Sequence, residues 1–453
     1  MLDNHISKQE AMRRIRQAWQ PRRRTETVGI DQAAGRVIAA DATAGYDIPV
    51  VRAAGMDGIC VNFDLLENGI PDTTAWTRGR EYERADTGDD FDDRFDTVLP
   101  IEWIEPVAPD AKAGDRVLLS GGIRITPKAG RGGPGGPGRP AGSGKPGQPA
   151  AQDKPGQPAA QDKPGQPKLE RGMNVRPAGS LMKKGALLLR AGMRITALDI
   201  PALVTGGFNE VEVIAKPVIS FIPTGSELIP AGQPLHRGQN YDANSHLARV
   251  MLEEMGACAK VFPIVKDKKA ELSQALEEAL IVSDIVIING GSSKGDEDFN
   301  TELLEGRGRL LFHWIKAAPG RPMAAAVTED GKLILNIAGP TLAAYYGIAW
   351  CVRQLLEDWY GAPVLWGRET LVLAGADLPS PPLSLLLKLK VTEAEDGTLI
   401  ALPAGGPGRP AGPGGPGPQK EPIPQCDVNA VYFTDPEGPA VRAGESLRVL
   451  MVR

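Results

Sequence analysis

Two short stretches of this 453-residue chain combine residue types that hold an anion beside a cation. The first is Thr224-Gly225-Ser226-Glu227, at the end of the apolar run VISFIP. The second is GGSSKGDEDFN, residues 290–300, which follows DIVIIN. In the second, Gly290 and Gly291 let backbone amides converge on an oxyanion, Ser292 and Ser293 add hydroxyl donors, and a following helix start adds positive dipole. Lys294 contributes a charge inside the same loop. The plainer alternative is that the glycines serve only a tight turn. Carboxylates tilt the balance: Asp296, Glu297 and Asp298 close the second loop, and Glu227 and Asp267 follow neighbouring apolar runs. A cradle lined with acids repels a phosphate unless a divalent cation bridges them, and Mg2+ suits one or two carboxylates completed by ligand oxygens.

Such loops need elements that point them at one place. From residue 217 the pattern alternates strand and helix: VISFI, a helix over 244–256, KVFPIV, a helix in DKKAELSQALEEAL, DIVIIN, LILNI (333–337) and a helix from Thr341 to Trp359. Leu247, Val250, Met251 and Met255 are expected on the buried face of the first helix, which Gly256 stops. Leu272, Ala275, Leu276, Ala279 and Leu280 are expected inward on the second. The series predicts a doubly wound α/β domain of parallel strands, whose ligands bind at the carboxyl ends of the strands. Upstream, ISKQEAMRRIRQAW places Ile6, Ala11, Ile15 and Trp19 at helical spacing, with Ser7 as N-cap and Glu10 completing a capping box. The text from Thr25 to about residue 128 reads as short β-strands, and so does the tail after 425.

Composition bounds the rest. The length suggests two to four domains. The net charge of −5 argues against a nucleic-acid or acidic-membrane footprint. Cys60, Cys258, Cys351 and Cys426 are too scattered to signal zinc or a disulfide framework. The beginning MLDNHISKQE has no signal-peptide pattern, and no apolar run is long enough to span a membrane, so a cytoplasmic protein is expected. Of the 54 Gly and 40 Pro, 20 fall within residues 130–167 and 13 within 403–418. The first tract repeats KPGQPAAQD in tandem, and both tracts contain GGPGRPAG. Neither has an apolar face to bury, so each reads as a flexible spacer in an exposed loop.

Several separated motifs in fixed order resemble the molybdopterin molybdotransferase family, of the MoeA and gephyrin E-domain type. They are DIPVVRAAGMDGIC (47–60), DTGDDFDDRFD (86–96), GMNVRPAGSLMKKG (172–185), PTGSEL (223–228), GQNYDANS (238–245), NGGSSKGDED (289–298) and the closing NAVYFTDPEGPAVRAGESLRVLMV. The resemblance implies a multidomain α/β and β protein. Its parts would be an elongated helical-β domain (1–46 and 179–216), an inserted β domain (47–178), an α/β molybdopterin-binding domain (217–360) and a C-terminal β-barrel (361–453). It also implies a homodimer that inserts molybdate into adenylylated molybdopterin, with Mg2+ and release of AMP. A molybdopterin adenylyltransferase or a client molybdoenzyme would be its partner. By motif position, Asp57, Asp267 and Asp298 would be catalytic, with Asp57 closing the cleft across the dimer. Thr87, Thr224, Gly225, Ser226, Glu227, Gly290, Gly291, Ser292, Ser293 and Lys294 would bind the pterin substrate. Glu227 and Asp298 would hold the metal.

The departures matter too. Two lysines of the family fall at Trp314 and Ala318, in HWIKAAPGRP, and Lys316 shares a face with both only if strand register holds there. The charge-assisted hydrogen bonds lost with them leave Lys294 or Arg321 to compensate. They also leave a second expectation, a catalytically impaired molybdopterin-binding paralogue acting as carrier or maturation factor.

Overall fold

The computed structural model describes residues 5–107, 122–128, 168–291, 297–378, 382–404, 427–436 and 438–453. The tandem repeats and both copies of GGPGRPAG lie outside the described residues. Two compact units result: Met1–Ala40 with Ala191–Thr196 and Glu210–Arg453, and Asp41–Arg190 with Ala197–Asn209.

The first unit opens with helix α1 (Lys8–Ala18), whose N-cap Ser7 accepts the Glu10 amide at 3.2 Å. Ile6, Ala11, Ile15 and Trp19 are all buried, as their spacing predicts. The capping box is only half made. Glu10 turns its carboxylate to Arg13 and Arg14, each at 2.7 Å, because two guanidinium groups one turn away outcompete one backbone amide.

The α/β layer follows as β1 (Val218–Pro223), α2 (Asn244–Glu254), β2 (Cys258–Val261), α3 (Lys269–Val282), β3 (Ile285–Asn289), α4 (Glu297–Glu305), β4 (Arg309–His313), β5 (Met323–Val327), β6 (Leu333–Ile337) and α5 (Thr341–Gly347). Its sheet order is β2-β1-β3-β6-β5-β4. The four strands predicted from sequence are parallel, but the sheet is mixed: β5 runs antiparallel to both β6 and β4. The reason is local. The five residues between β5 and β6 are too few for a crossover helix, so the chain must reverse. In consequence β4 points the same way as β1, β3 and β6, and residues after His313 emerge at the carboxyl edge of the sheet.

Side chains alternate between two cores. Ile219, Phe221, Ile287 and Leu335 pack with α1 and α2 and with the helix beginning at Thr341, while Ile222, Val286, Ile288 and Ile334 pack with α3 and α4. Each such fully buried aliphatic side chain contributes about 1.5–3 kcal/mol on leaving water. Helix α3 buries Leu272, Ala275, Leu276 and Ala279, with Leu280 only partly covered. Helix α2 departs from the prediction at Val250, which is 54% exposed; its buried stripe runs through Ala248, Met251, Leu252 and Met255. Beyond α5 the helical path continues through a π turn (Ile348–Val352) into α6 (Arg353–Tyr360), and left-handed Gly361 ends it.

Five strands close the unit: β7 (Arg368–Ala374), β8 (Ser384–Glu393), β9 (Leu399–Pro403), β10 (Ala430–Phe433) and β11 (Ser446–Met451). The pairings β8–β9, β9–β7, β7–β11, β11–β10 and β10–β8 complete a ring, which is the expected C-terminal barrel.

The second unit is β-rich. Strand Gly58–Val61 lies between Tyr82–Ala85 and Thr97–Pro100. Only glycine fits at position 58, since a Cβ there would stand 1.9 Å from the Leu99 carbonyl oxygen.

Candidate functional site

Strand β1 ends in a turn tied to its neighbours by the main chain. The Thr224 amide donates to the Asn289 carbonyl at 2.9 Å and the Gly225 amide to that of Val265 at 3.0 Å. Asp267 then locks the turn: Oδ1 accepts from the Thr224 hydroxyl at 3.1 Å and Oδ2 from the Ser226 amide at 3.0 Å. The Ser226 hydroxyl accepts the Asp267 amide in return, at 3.2 Å. The Glu227 carboxylate lies against Gly225, and a Cβ there would stand within 2.9 Å of both its oxygens and displace it. Glu227 is thereby laid over the turn, exposed at the carboxyl edge.

Strand β3 ends against that turn. Gly290 has φ +118° and Gly291 φ +69°, and a Cβ on Gly290 would stand 2.2 Å from the Thr224 carbonyl oxygen. The close approach of the two loops therefore depends on glycine. Under them lies a buried asparagine network. Asn300 Nδ2 donates to the Gly291 carbonyl at 2.9 Å, Asn336 Nδ2 to that of Gly290 at 3.2 Å, and Asn289 Nδ2 to that of Ala338 at 2.9 Å. Asn244 Nδ2 donates to Asn289 Oδ1 at 2.8 Å and to the Gly339 carbonyl at 2.6 Å. Among the described residues, Asn244 Oδ1, Ser245 Oγ and Asn300 Oδ1 are buried without a hydrogen-bond partner. Buried polar atoms are costly to leave unpaired, so these three could each take a hydrogen bond from a polar ligand.

Beside the turn opens a cavity of about 640 Å3 lined by Ser226, Asp242, Ser245, Arg249, Phe262 and Lys266, among others. Asp242, just before α2, holds its first turn, its Oδ1 accepting the Ser245 amide at 3.0 Å. Arg249 and Lys266 give this wall a positive charge that suits an anion.

Of the residues singled out from sequence, Thr224, Gly225, Ser226, Glu227, Asp267, Gly290 and Gly291 meet at this edge. Asp298 lies in the first turn of α4. Ser292, Ser293 and Lys294 lie outside the described residues, as do the side chains of residues 297–299. Asp57 and Thr87 belong to the second unit, where Asp57 Oδ1 accepts both the amide and the hydroxyl of Thr87 at 2.8 Å. Asn244, Asn289, Asn300, Asn336 and Ser245 were given no role from sequence. The available signal was a polar residue ending or interrupting an apolar run, as in DIVIIN and LILNI.

The segment after β4 is not a continued strand. Trp314 has φ +78°, so side-chain alternation restarts there. Ile315 and Ala317 are buried, and Lys316 is exposed between them. The Trp314 ring packs edge-on against His5 at 4.9 Å and under the Arg321 guanidinium at 5.1 Å, while Arg321 Nη2 lies 2.6 Å from His5 Nε2.

Among the described residues, no three His, Cys, Asp or Glu side chains gather as a metal cage. The edge offers exposed Glu227 and the position of Asp298. That donor set fits Mg2+, which keeps waters and ligand oxygens and needs only one or two carboxylates. Among the described residues no helix is long and apolar enough to cross a membrane.

Comparison with known proteins agrees with this arrangement. Residues 6–207 match the family model "MoeA N-terminal region (domain I and II)", and residues 220–358 match "Probable molybdopterin binding domain". The molybdopterin molybdenumtransferase of Bacillus subtilis is 24% identical over 398 residues, covering 87% of this chain and 84% of that protein. That of Haemophilus influenzae is 33% identical over 157 residues, 35% of this chain and 39% of that protein. A molybdopterin biosynthesis MoeA protein structure from Pyrococcus horikoshii superposes with a TM-score of 0.69 at 20% identity, over 99% of this chain and 100% of that one. A second structure from that organism gives 0.64 at 19%, with the same coverage. At those identities the likeness is one of fold.

Proposed function

The chain belongs to the MoeA family, and from that membership we propose that it acts as a molybdopterin molybdenumtransferase in molybdenum cofactor biosynthesis. It would join molybdate to molybdopterin presented in adenylylated form, with release of AMP. The observation that carries this reading is the pair of abutting loops: glycines of positive φ at the end of β3 against a turn clamped by Asp267, over buried polar atoms that no described residue satisfies. The names of the relatives do not favour the carrier alternative.

The roles follow from the geometry. Gly291, with Ser292, Ser293 and Lys294 by sequence position, would take the pterin-side phosphate, while the Gly290 amide is spent on the Ile337 carbonyl at 2.9 Å and Gly290 serves the close approach of the loops. Of Thr224, Gly225 and Ser226, whose amides the turn itself uses, the Ser226 hydroxyl would donate to the neighbouring phosphate. Asp267 is a positioning residue, because both its oxygens are engaged in holding the turn. Glu227 and Asp298 would hold Mg2+, which when bound supplies charge neutralisation to the phosphate oxygens. Cleavage of the phosphoanhydride takes up one water and yields AMP and the pterin phosphate, while molybdate forms two bonds to the pterin sulfurs as one of its oxygens leaves as water with the two thiol protons. The chain's part is to hold molybdate and the pterin in one orientation while limiting access of bulk water. Asp57 and Thr87 would act from a second copy in a homodimer. A substrate of this kind must come from nucleotidyl transfer to a phosphate, which makes a molybdopterin adenylyltransferase the partner and a molybdoenzyme the client, with the cytoplasm as the compartment. The test is AMP release from adenylylated molybdopterin on addition of molybdate and Mg2+. Turnover dependent on molybdate supports the assignment, and its absence from the full chain overturns it.

A further inference from the structure

Lys8 occupies a position that works against its charge. It begins α1, where the helix dipole already repels a cation. Its stem is half-buried, and Nζ stands 5.6 Å from the ring centroid of Tyr346 and 5.4 Å from that of Phe433. Burial pushes the amine down to about 8, and the attraction of Asp435 offsets only part of that. The groups facing it are Tyr346 from α5, Phe433 from β10 and Asp435 just beyond; Glu10 on its own helix is taken by Arg13 and Arg14.

The segment leading into Lys8 is at the carboxyl edge of the sheet. Ile6 donates its amide to the Trp314 carbonyl at 3.4 Å and accepts that of Lys316 at 2.8 Å, so the segment leading into Lys8 runs beside the chain leaving β4. Tyr346, under the amine, is in the helix that starts after Gly339, and Gly339 backs directly onto Gly290: a Cβ there would lie 3.5 Å from the Gly290 Cα. The edge presents Glu227 and Asp267, with Asp298 by position, so an anion docking there needs cations to offset them, and Arg249 and Lys266 supply these beside the turn after β1. Arg321 is held by His5 and Trp314. An ammonium kept between aromatic faces has already given up much of its hydration, so an incoming oxyanion meets it at reduced desolvation cost.

We propose that Lys8 is an oxyanion-binding residue of this site, donating from its ammonium group to an oxygen of a tetrahedral dianion. This rests on the molybdenumtransferase reading, which supplies two such ligands, molybdate and the phosphate of the pterin. In the folded chain the N-terminal helix thus brings positive charge to an edge where positions 314 and 318 carry none.

The experiment is calorimetric titration of the full-length protein with sodium molybdate, and separately with inorganic phosphate, for the parent, Lys8→Met, Lys8→Arg and Lys390→Met. Lys8→Met is expected to weaken one or both anions by about tenfold or more, while melting no lower than the parent. Lys8→Arg should restore affinity to within about threefold, and Lys390→Met, on the barrel, should match the parent. Parent affinity should fall as pH rises through about 8, and that step should vanish in Lys8→Met. Loss confined to molybdate assigns Lys8 to the oxometalate, and loss confined to phosphate assigns it to the pterin. Equal affinity of Lys8→Met and parent for both anions, or no anion binding by the parent, overturns the proposal. AMP release is assayed in parallel. If it is absent while Lys8→Met still loses the anion, the transferase reading fails and the oxyanion site stands.

Discussion

Ser226 and Asp267 clasp each other reciprocally across 41 residues of sequence: the serine amide donates to the aspartate carboxylate at 3.0 Å, and the aspartate amide donates to the serine hydroxyl at 3.2 Å. The clasp makes Asp267 a brace for the turn that carries Glu227. Asp267→Asn keeps an oxygen to accept the Ser226 amide and offers its NH2 to the Thr224 hydroxyl oxygen, and should hold turnover within about threefold of the parent. Asp267→Ala leaves the Ser226 amide without its partner and should lower stability by about 1–3 kcal/mol and raise KM for the pterin about tenfold. Thermal melts and steady-state AMP release measure both. A hundredfold loss in Asp267→Asn would instead assign the role to charge.

Gly290→Ala combines a left-handed backbone with a Cβ 2.2 Å from a carbonyl oxygen. The β1 and β3 loops must then separate. Pterin binding should fall below detection, and stability should drop by at least about 2 kcal/mol. A variant that binds as the parent does would show that the two loops need not touch.

Lys8 imposes a pH dependence whose sign is opposite to that of an ion pair. Its pKa is depressed on folding, from 10.5 to about 8. Below pH 8 both states are protonated and the penalty of burying the charge is fully present. Between pH 8 and 10.5 the unfolded chain binds the proton more tightly, so stability rises with pH. The difference in unfolding free energy between Lys8→Met and parent should therefore shrink across that window, by up to about 3 kcal/mol. Denaturant melts at pH 7, 9 and 10.5 measure it. A constant difference would mean that Lys8 keeps its ordinary value.

Asp298 opens α4 directly after the glycine loop. Asp298→Asn preserves size and hydrogen bonding but removes the charge that a hard cation requires. Mg2+-dependent AMP release should fall about a hundredfold, equivalent to about 2.7 kcal/mol of barrier, while metal-free pterin binding survives. Parental turnover in this variant would leave Asp298 as a loop acid.

Asp57 and Thr87 can be tested by mixing copies. If Asp57 completes a partner's site, unfolding and refolding inactive Asp57→Asn together with inactive Asp298→Asn should return about a quarter of parental activity, since half the dimers are mixed and each has one intact site. No recovery would place Asp57 in the same copy's site or in none.

The sequence by itself determined what depends on neighbouring residues. The periodicity of α1, α3 and the four parallel strands, the Ser7 cap and the Gly256 stop were legible because burial repeats every 3.6 or 2 residues. The loops after VISFIP and DIVIIN were legible because a strand end followed by glycine, hydroxyl and acid is local chemistry. Only the tertiary structure decided what depends on which strand lies beside which. It turned β5 antiparallel and so brought Trp314, Lys316 and Arg321 to the carboxyl edge. It set the Asp267 carboxylate on the Ser226 amide and gathered Asn244, Asn289, Asn300 and Asn336 into one buried network. It also laid Lys8 over Tyr346, hundreds of residues away. An asparagine that ends a strand looks the same in sequence whether it faces water or props up a glycine loop. Hydrogen bonding and burial are settled by long-range packing, which no local pattern records.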